Sequence, residues 1–344
     1  MVTVIKTVQY SIQIQLFMKS KIIITGASGF IGTNLLQYYI DEGDVEILNI
    51  DIQKPRNIEH IAYWSKIDIC DQPSLESAIV NFNPDYIIHL AARTDILGKN
   101  LDDYQANTVG VKNIVGICKK CPNLKKVVLA SSMLVNRVGY KPKDVLDFCP
   151  PNAYGESKVK TEEIIMNSHI TCDYVIIRPT SIWGPWFDTY RNFFELIGKG
   201  VYSHIGNKAV YKTYGFVKNA VIQIDGLLKA DTHNLNFTER VFYIGDYSYY
   251  SLIDWANEIA SVYGVRNKKI PFFLIQTAAW VGDCLQALHI SFPMTSFRLK
   301  NMLTDNKVDL SHTKEYVPKL PYNRIKANKI TIEWIDEHPI KSHI

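Results

Sequence analysis

Short apolar runs rich in β-branched residues alternate with longer segments of helical periodicity through the first half of the chain. The runs cover residues 21–25, 45–50, 67–69, 86–92 and 126–130. Apolar positions recur at helical spacing over residues 31–40, and a second helix is predicted over 103–119. Continuous apolar runs are typical of parallel strands that are buried on both faces. The alternation therefore predicts an α/β fold, a doubly wound parallel sheet with helices on both sides.

A glycine-rich turn directly follows the first predicted strand and precedes the first helix. Its glycines are spaced G-x-x-G-x-x-G, one residue longer than the common G-x-G-x-x-G pattern. Such a turn bends tightly, lets a pyrophosphate approach the backbone and places a helix N-terminus against the phosphates. We therefore predict a Rossmann-type dinucleotide site. The residues of this turn that we assign to the cofactor are Gly26, Ser28, Gly29, Phe30, Ile31 and Gly32.

An acidic residue ends the second predicted strand and bears on which dinucleotide binds. Asp51 lies roughly 20 residues past the glycines, where a carboxylate accepts hydrogen bonds from the ribose hydroxyls of NAD. The same carboxylate would repel the additional phosphate of NADP. Lys54 and Arg56 are close in sequence and keep NADP as the alternative. Asp68, in the third predicted strand, is a candidate for the adenine amino group.

The second chemical motif is Tyr154-x-x-x-Lys158, preceded by Ser131-Ser132 at the end of the fifth strand. A spacing of four places Tyr154 and Lys158 on one face of a helix. A neighbouring ammonium and a bound nicotinamide ring would lower the pKa of the tyrosine towards neutrality. Tyr154 would then exchange a hydroxyl proton while the nicotinamide exchanges a hydride, with Ser132 holding the same substrate oxygen.

These motifs together resemble the extended short-chain dehydrogenases/reductases of the NAD-dependent epimerase/dehydratase family. The resemblance runs from about residue 21 to the C-terminus. It rests on Gly26-x-x-Gly29-x-x-Gly32, Asp51, the His-Leu-Ala-Ala of 89–92, Asn107-x-x-Gly110-x-x-Asn113, Ser131-Ser132, Tyr154-x-x-x-Lys158 and residues 178–185.

The resemblance implies a tightly held NAD, a Ser-Tyr-Lys catalytic set, a nucleotide-diphosphate sugar substrate and no metal ion. The further cofactor contacts that it implies are Asp68, Ile69, Leu90, Ala91, Ala92, Thr94, Asn107 and Arg178, besides Tyr154 and Lys158. The substrate contacts that it implies are Thr94, Ser132, Met133, Ser181 and Lys212.

Departures from the family patterns narrow the reaction. Sugar 4,6-dehydratases of the family follow the catalytic serine or threonine with Asp-Glu, whereas Met133 and Leu134 stand here and offer no acid to expel water. Met133 also replaces the cysteine of the GDP-fucose synthase branch, which argues against epimerisation by that route. Lys212 replaces the usual arginine, so it would meet a diphosphate as a point charge rather than as a fork. Asn219 replaces the usual aspartate.

After these exclusions, the reaction that the sequence favours is reversible oxidation and reduction at one carbinol carbon. Our first interpretation is a 4-epimerase that acts on a nucleotide sugar through a transient keto-sugar. The alternatives are a nucleotide-sugar 4-ketoreductase or dehydrogenase and a hydroxysteroid-type dehydrogenase, a branch that residues 271–298 faintly resemble.

We divide the chain into an N-terminal extension, a Rossmann domain and a mainly substrate-binding domain. Their predicted bounds are 1–17, 18–178 and 179–344, with parts around 215–248 returning to the Rossmann domain. An aromatic-rich stretch at 183–194 has two interpretations: it lines a ligand pocket, or it packs in the core. For residues 271–290 we expect a buried or interfacial helix rather than a membrane span, because Gln276, Asp283 and Gln286 interrupt the apolar run.

Composition indicates an ordinary globular enzyme. The net charge of +4 makes no case for a nucleic-acid partner, and we expect no membrane insertion. The six cysteines show no spacing typical of secreted disulfide frameworks, which favours the cytoplasm. The family resemblance implies a homodimer formed by the helices around 103–119 and 154–166.

Overall fold

The computed structural model describes residues 19–287, 290, 292 and 294–339. The predicted extension at 1–17 lies outside these residues. A seven-stranded parallel sheet organises the fold, with strands in the order β3-β2-β1-β4-β5-β6-β11. The strands are β1 (Ser20–Thr25), β2 (Val45–Asp51), β3 (Trp64–Lys66), β4 (Tyr86–His89), β5 (Lys126–Ala130), β6 (Asp173–Pro179), β7 (Ser181–Trp183), β8 (Ser203–Ile205), β9 (Tyr211–Lys212), β10 (Tyr214–Phe216), β11 (Val241–Ile244), β12 (Tyr250–Ser251) and β13 (Lys268–Ile270). The predicted doubly wound parallel sheet is confirmed.

Helices cover both faces of this sheet and form most of the second half of the chain. They are α1 (Phe30–Glu42), α2 (Gln72–Phe82), α3 (Val111–Cys118), α4 (Ala153–Met166), α5 (Asp188–Gly198), α6 (Val217–Lys229), α7 (Leu252–Val262), α8 (Phe272–Ala287), α9 (Ser296–Met302), α10 (Ser311–Tyr316) and α11 (Arg324–Glu337). Alternating side chains of the strands separate two apolar cores. In β1, Ile22 and Ile24 face one core and Ile23 faces the other.

Three sequence-predicted elements differ from the structure. The third strand is β3, which ends before the predicted 67–69, because the ladder with β2 pairs Asn49 to Asp51 with Trp64 to Lys66. The fourth strand ends at His89, three residues earlier than predicted. The helix predicted over 103–119 is interrupted: a 3-10 turn and a π-helical turn precede α3.

The aromatic-rich stretch at 183–194 belongs mainly to the core. Trp183 and Phe194 are fully buried, and Trp183 packs against Trp255 with ring centroids 4.9 Å apart. Trp255 also donates from its indole nitrogen to the Asn328 side-chain oxygen at 2.8 Å. These contacts join α5, α7 and α11 into one unit behind the sheet.

The apolar segment that begins at residue 271 forms α8. This helix is not buried as a whole, since Phe273 is 65 % exposed and Trp280 60 % exposed. Within the residues that the structure describes, we find no helix with the length and apolar character needed to cross a membrane.

Candidate active site

The glycine turn after β1 lies against the backbone that follows β4. Gly26 adopts a φ of +79°, and a Cβ placed on it would lie 2.5 Å from the Ala91 amide nitrogen. A Cβ on Gly32 would lie 2.2 Å from the Gly26 carbonyl oxygen. The Gly26 amide donates to the Ile50 carbonyl at 2.9 Å, which ties the turn to β2. Only a residue without a side chain fits at Gly26 or Gly32, so the spacing has a steric cause.

The first turn of α1 starts directly at this bend. Gly29 is the N-cap residue and supplies no side-chain cap to the helix. The amide groups of the first turn are therefore left to a ligand, and the helix dipole favours an anion there. The Phe30 ring stacks on Phe187 with centroids 4.5 Å apart, which fixes the start of the helix. This cradle fits the pyrophosphate of a dinucleotide.

Asp51 lies at the end of β2, beside the same turn. Its carboxylate accepts from the Ser28 amide at 3.1 Å and from the Gln53 amide at 2.8 Å. Asn49, two residues earlier on the strand, donates to the Ser28 hydroxyl at 3.2 Å. Burial raises the pKa of the Asp51 carboxyl, while these amide contacts oppose the rise. The structure thus brings an acceptor for ribose hydroxyls to the glycine turn.

Lys54 and Arg56, the two basic residues that favour NADP, differ in their contacts with the protein. The Arg56 guanidinium donates to the Trp186 carbonyl at 2.9 Å, which commits part of its hydrogen-bonding capacity to the protein. Lys54 is exposed.

Ser132 and Tyr154 meet beyond the end of β5. Ser132 is 7 % exposed, and its hydroxyl accepts from the Leu134 amide at 3.1 Å. Tyr154 is buried at the start of α4, close enough to the Ser132 side chain for that group to lower its pKa. The Tyr104 ring lies over it, with centroids 6.0 Å apart. The two hydroxyl groups can therefore hold one substrate oxygen between them.

Lys158 follows Tyr154 by one helical turn on α4. Burial raises the pKa of Tyr154, and the Ser132 side chain lowers it. Lys158 Nζ donates to the Ala130 carbonyl at 2.9 Å. Burial lowers the pKa of Lys158 to about 8, and the Glu162 carboxylate opposes this.

Arg178 does not occupy the cofactor position that the resemblance implies. Its guanidinium makes a bidentate ion pair with Glu162 at 2.8 and 2.7 Å and also donates to the Tyr243 hydroxyl at 3.0 Å and the Val145 carbonyl at 2.9 Å. Both charged side chains are 1 % exposed. A guanidinium with these partners supports α4 from the sheet, so we remove Arg178 from the cofactor set.

Four of the remaining implied cofactor residues lie beside the glycine turn or against α4. Leu90, Ala91 and Ala92 follow β4 beside the glycine turn, and the Leu90 amide donates to the Thr25 carbonyl at 2.9 Å. Asn107 is buried and donates to the Ser157 hydroxyl at 2.8 Å, which joins the π-helical turn to α4.

Three further implied residues lie in the loops that follow β3 and β4. Ile69 is buried, and its side chain would meet a Cβ on Gly110 at 2.4 Å, so its side chain packs in the core. Asp68 accepts from the Cys70 amide at 2.8 Å. Thr94 is exposed.

The implied substrate residues other than Ser132 and Thr94 are partly buried. Met133 opens the 3-10 turn that follows Ser132. Ser181 begins β7, and its side chain lowers the pKa of Tyr190, which burial raises. Lys212 Nζ donates to the Asn301 carbonyl at 2.9 Å, and burial lowers the pKa of Lys212. Among the described residues, no cluster of three acidic, histidine or cysteine side chains could hold a metal ion.

Several supporting residues go beyond the sequence prediction. The Thr25 hydroxyl contacts His89 Nδ1 at 2.7 Å and accepts from the Ala91 amide at 3.3 Å. Burial and the Lys158 charge lower the pKa of His89 to about 3, so it is neutral. The position of Glu162 near Lys158 could have been predicted from the sequence, because Glu162 lies four residues after Lys158 and therefore on the same helical face.

A family comparison identifies this arrangement. The profile of the NAD dependent epimerase/dehydratase family matches residues 22–211, which include the glycine turn, Ser132, Tyr154 and Lys158. The chain belongs to this family. It is an NAD-dependent enzyme of the extended short-chain dehydrogenase/reductase type, and the predicted cofactor, NAD, is confirmed.

Curated relatives match the chain over most of its length. The N-acetyl-alpha-D-glucosaminyl-diphospho-ditrans,octacis-undecaprenol 4-epimerase of Escherichia coli O157:H7 is 25% identical, over 95% of this chain and 98% of the relative. The UDP-glucose 4-epimerase of Vibrio cholerae is 24% identical, over 87% of this chain and 90% of the relative.

Solved structures share the fold. The UDP-glucuronic acid 4-epimerase of Bacillus cereus, in complex with UDP-glucuronic acid and NAD, superposes with a TM-score of 0.71 at 18% identity, over 92% of this chain and 99% of that one. The UDP-glucose 4-epimerase of Thermus thermophilus, in complex with NAD, gives a TM-score of 0.69 at 16% identity, over 93% and 100%.

Replacing Gly26 by alanine tests the close backbone approach. Gly26→Ala should weaken NAD binding by at least roughly tenfold, or about 1.4 kcal/mol, because the new Cβ forces the turn away from Ala91. Gly43→Ala is the matched control: its φ is +75°, close to that of Gly26, but nothing lies within 4 Å of the added Cβ. It should lose some stability from the positive φ and keep NAD affinity. Isothermal titration with NAD distinguishes the two, and equal losses in affinity would contradict the steric explanation.

The Asp51 carboxylate should set the preference for NAD over NADP. We expect NAD to bind at least roughly tenfold more tightly than NADP, because the additional phosphate of NADP would meet the partly buried carboxylate. Asp51→Asn keeps the shape of the side chain and removes its charge. It should therefore reduce the ratio of NAD affinity to NADP affinity, mainly by improving NADP binding. Titration of both cofactors into cofactor-free protein measures the ratio. Equal affinities in the parent protein would show that the neighbouring basic side chains dominate.

Proposed function

We propose that this protein is a 4-epimerase of a sugar linked through a diphosphate, acting by transient oxidation at carbon 4. The observation that carries the proposal is the placement of Ser132 and Tyr154 together beyond β5, next to a glycine turn that fits a dinucleotide. The full-length similarity to two curated 4-epimerases favours this reaction over that of a ketoreductase or a hydroxysteroid-type dehydrogenase.

The residues proposed to hold NAD lie on three adjacent strand ends. The first turn of α1 binds the pyrophosphate, Asp51 accepts from a ribose, and the segment 90–92 lines the site beside Gly26. Lys158 is held by the Ala130 carbonyl at the floor of the site, from which its ammonium can reach the second ribose. When bound, NAD supplies the hydride acceptor and donor, and its positive ring lowers the pKa of Tyr154.

Tyr154 moves the proton in this proposal. As a phenolate it accepts the proton of the carbon-4 hydroxyl while the hydrogen on carbon 4 leaves as hydride, which gives a 4-keto-sugar. Ser132 donates to the same oxygen and keeps it beside Tyr154 Oη. After the ketone has turned its other face, Tyr154 returns the proton as the hydride comes back. Atoms and electrons balance over the cycle, so no external oxidant is consumed.

The residues after Ser132 argue against dehydration. Met133 and Leu134 form the 3-10 turn at this point and carry no acid that could protonate a leaving hydroxyl. Proton transfer in the site thus depends on Tyr154, which suits a reaction that only oxidises and reduces one carbon.

The diphosphate group of the substrate is assigned to Lys212. Its ammonium is partly buried and bound to a carbonyl, so it can exchange that partner for a phosphate oxygen. We take a nucleoside as the group beyond the diphosphate. A polyprenol is the second candidate, because the Escherichia coli relative that matches over 98% of its length is named for such a substrate.

Tyr154→Phe tests the proton transfer. The change removes one hydroxyl and should slow the reaction by roughly 10²- to 10⁴-fold, because a positioned proton donor is lost. NAD binding should persist, and Ser132→Ala should cost less, since serine orients the oxygen without ionising. The measurement is single-turnover reduction of bound NAD with UDP-glucose, UDP-N-acetylglucosamine and undecaprenyl-diphosphate N-acetylglucosamine. Parental rates in Tyr154→Phe would refute the mechanism, and release of a stable keto product would instead indicate a dehydrogenase.

We also propose a cytoplasmic homodimer. The helical stretch 101–118 packs beside α4, as the bond from Thr161 Oγ1 to the Asn107 carbonyl at 2.7 Å requires. Val109 and Met166 on these helices are each 42 % exposed, which suits a four-helix interface with a second copy. The six cysteines are free thiols, as in cytoplasmic proteins.

Light scattering should give twice the 39.4 kDa mass of the chain at micromolar concentration. Val109→Glu combined with Met166→Glu should yield the monomer, because charge would be buried in the interface. A parent protein that is monomeric would contradict this assembly.

A further inference from the structure

Helix α8 presents a row of large apolar side chains to solvent. Phe273 is 65 % exposed, Leu274 50 %, Trp280 60 % and Val281 49 %. Positions 273, 277, 280, 281 and 284 recur at helical spacing and are all exposed, so they form one face.

The opposite face of α8 is occupied inside the protein. Ala279 is fully buried, and a Cβ on Gly282 would lie 1.8 Å from the Met294 carbonyl oxygen. The Asp283 carboxylate accepts from the Ser296 amide at 3.0 Å, which joins α8 to α9. The orientation of α8 is therefore fixed, and its apolar face is held outward by these contacts.

Helix α9 extends the apolar area. Phe297 is 71 % exposed. It directly follows Ser296, the residue whose amide donates to the Asp283 carboxylate. We call Phe273, Leu274, Trp280, Val281 and Phe297 the α8–α9 surface.

The segment of chain that carries this surface is positively charged. Residues 264–302 include three lysines, two arginines and one aspartate, which gives a net charge of +4, equal to that of the whole chain. Lys268 and Lys269 precede α8 and are exposed, and Lys300 on α9 is exposed as well. The single carboxylate of this segment, Asp283, is engaged by the Ser296 amide.

We propose that the α8–α9 surface docks the protein on the interface of an anionic lipid bilayer. Tryptophan and phenylalanine suit the boundary between headgroups and acyl chains, and flanking lysines are attracted by anionic lipids. The 16 residues of α8 are too few to cross the bilayer, so the helix lies in the interface plane. A second copy on the same surface would bring two positive rims together, which disfavours self-association there. The inference goes beyond the proposed reaction and does not depend on it.

Vesicle co-sedimentation of the full chain tests this docking. The parent protein should bind vesicles of phosphatidylcholine and phosphatidylglycerol, bind phosphatidylcholine alone at least roughly tenfold more weakly, and be released by salt. Phe273→Ser combined with Trp280→Ser should lower the partition to anionic vesicles by at least roughly tenfold. Lys268→Gln combined with Lys269→Gln should lower it and reduce its salt dependence.

Val80→Ser is the matched control, because Val80 is a 41 % exposed apolar residue on α2, outside the α8–α9 surface. It should leave vesicle binding unchanged. Retained NAD binding and melting temperature show that each variant is folded, independently of epimerase activity.

Three results would overturn the inference. The first is a parent protein that binds no anionic vesicles at any salt concentration, and the second is a Phe273/Trp280 variant that binds as well as Val80→Ser. The third is a smaller oligomer for the Phe273/Trp280 variant in light scattering, which would assign the α8–α9 surface to a second copy.

Discussion

Gly26 brings the backbone that follows β1 against the backbone that follows β4, and the cofactor site is arranged around this contact. The approach leaves no room for a Cβ, and the same turn is bonded to the end of β2 through Ile50. Three neighbouring strand ends are thereby held at one edge of the sheet, where the ligand of an open α/β sheet lies. The N-terminus of α1 and the carboxylate of Asp51 then converge on one place because each follows a strand that this turn fixes.

A buried ion pair lies beneath α4, the helix that carries Tyr154. Arg178 on β6 holds Glu162 on α4, and Glu162 raises the pKa of Lys158 against the effect of burial. Leaving either charge without its partner would strand an ion in the core, at a cost of roughly 3–5 kcal/mol. The pair connects β6 to α4.

The second half of the chain combines an interior aromatic cluster with an exposed apolar helix. Trp183 and Trp255 are completely buried, whereas Trp280 is mostly exposed. The difference follows from what the helices pack against. Helix α7 contacts α5 through Phe194 and α11 through Asn328, while α8 packs through its narrow Ala279 and Gly282 side. The same residue types therefore stabilise the fold in one place and form a surface in another.

The sheet, the glycine turn and the catalytic helix could all be predicted from the amino-acid sequence. They depend on local requirements: apolar runs for buried parallel strands, absent side chains at Gly26 and Gly32, and a helical spacing that sets Tyr154 and Lys158 on one face. Non-local contacts control the features that could not be predicted. Arg178 is an ion-pair partner because Glu162 lies opposite it across the fold, and the third strand ends at Lys66 because β2 fixes its register. The burial of Trp183 and the exposure of Trp280 depend on neighbouring helices, which no local pattern of hydrophobic positions encodes.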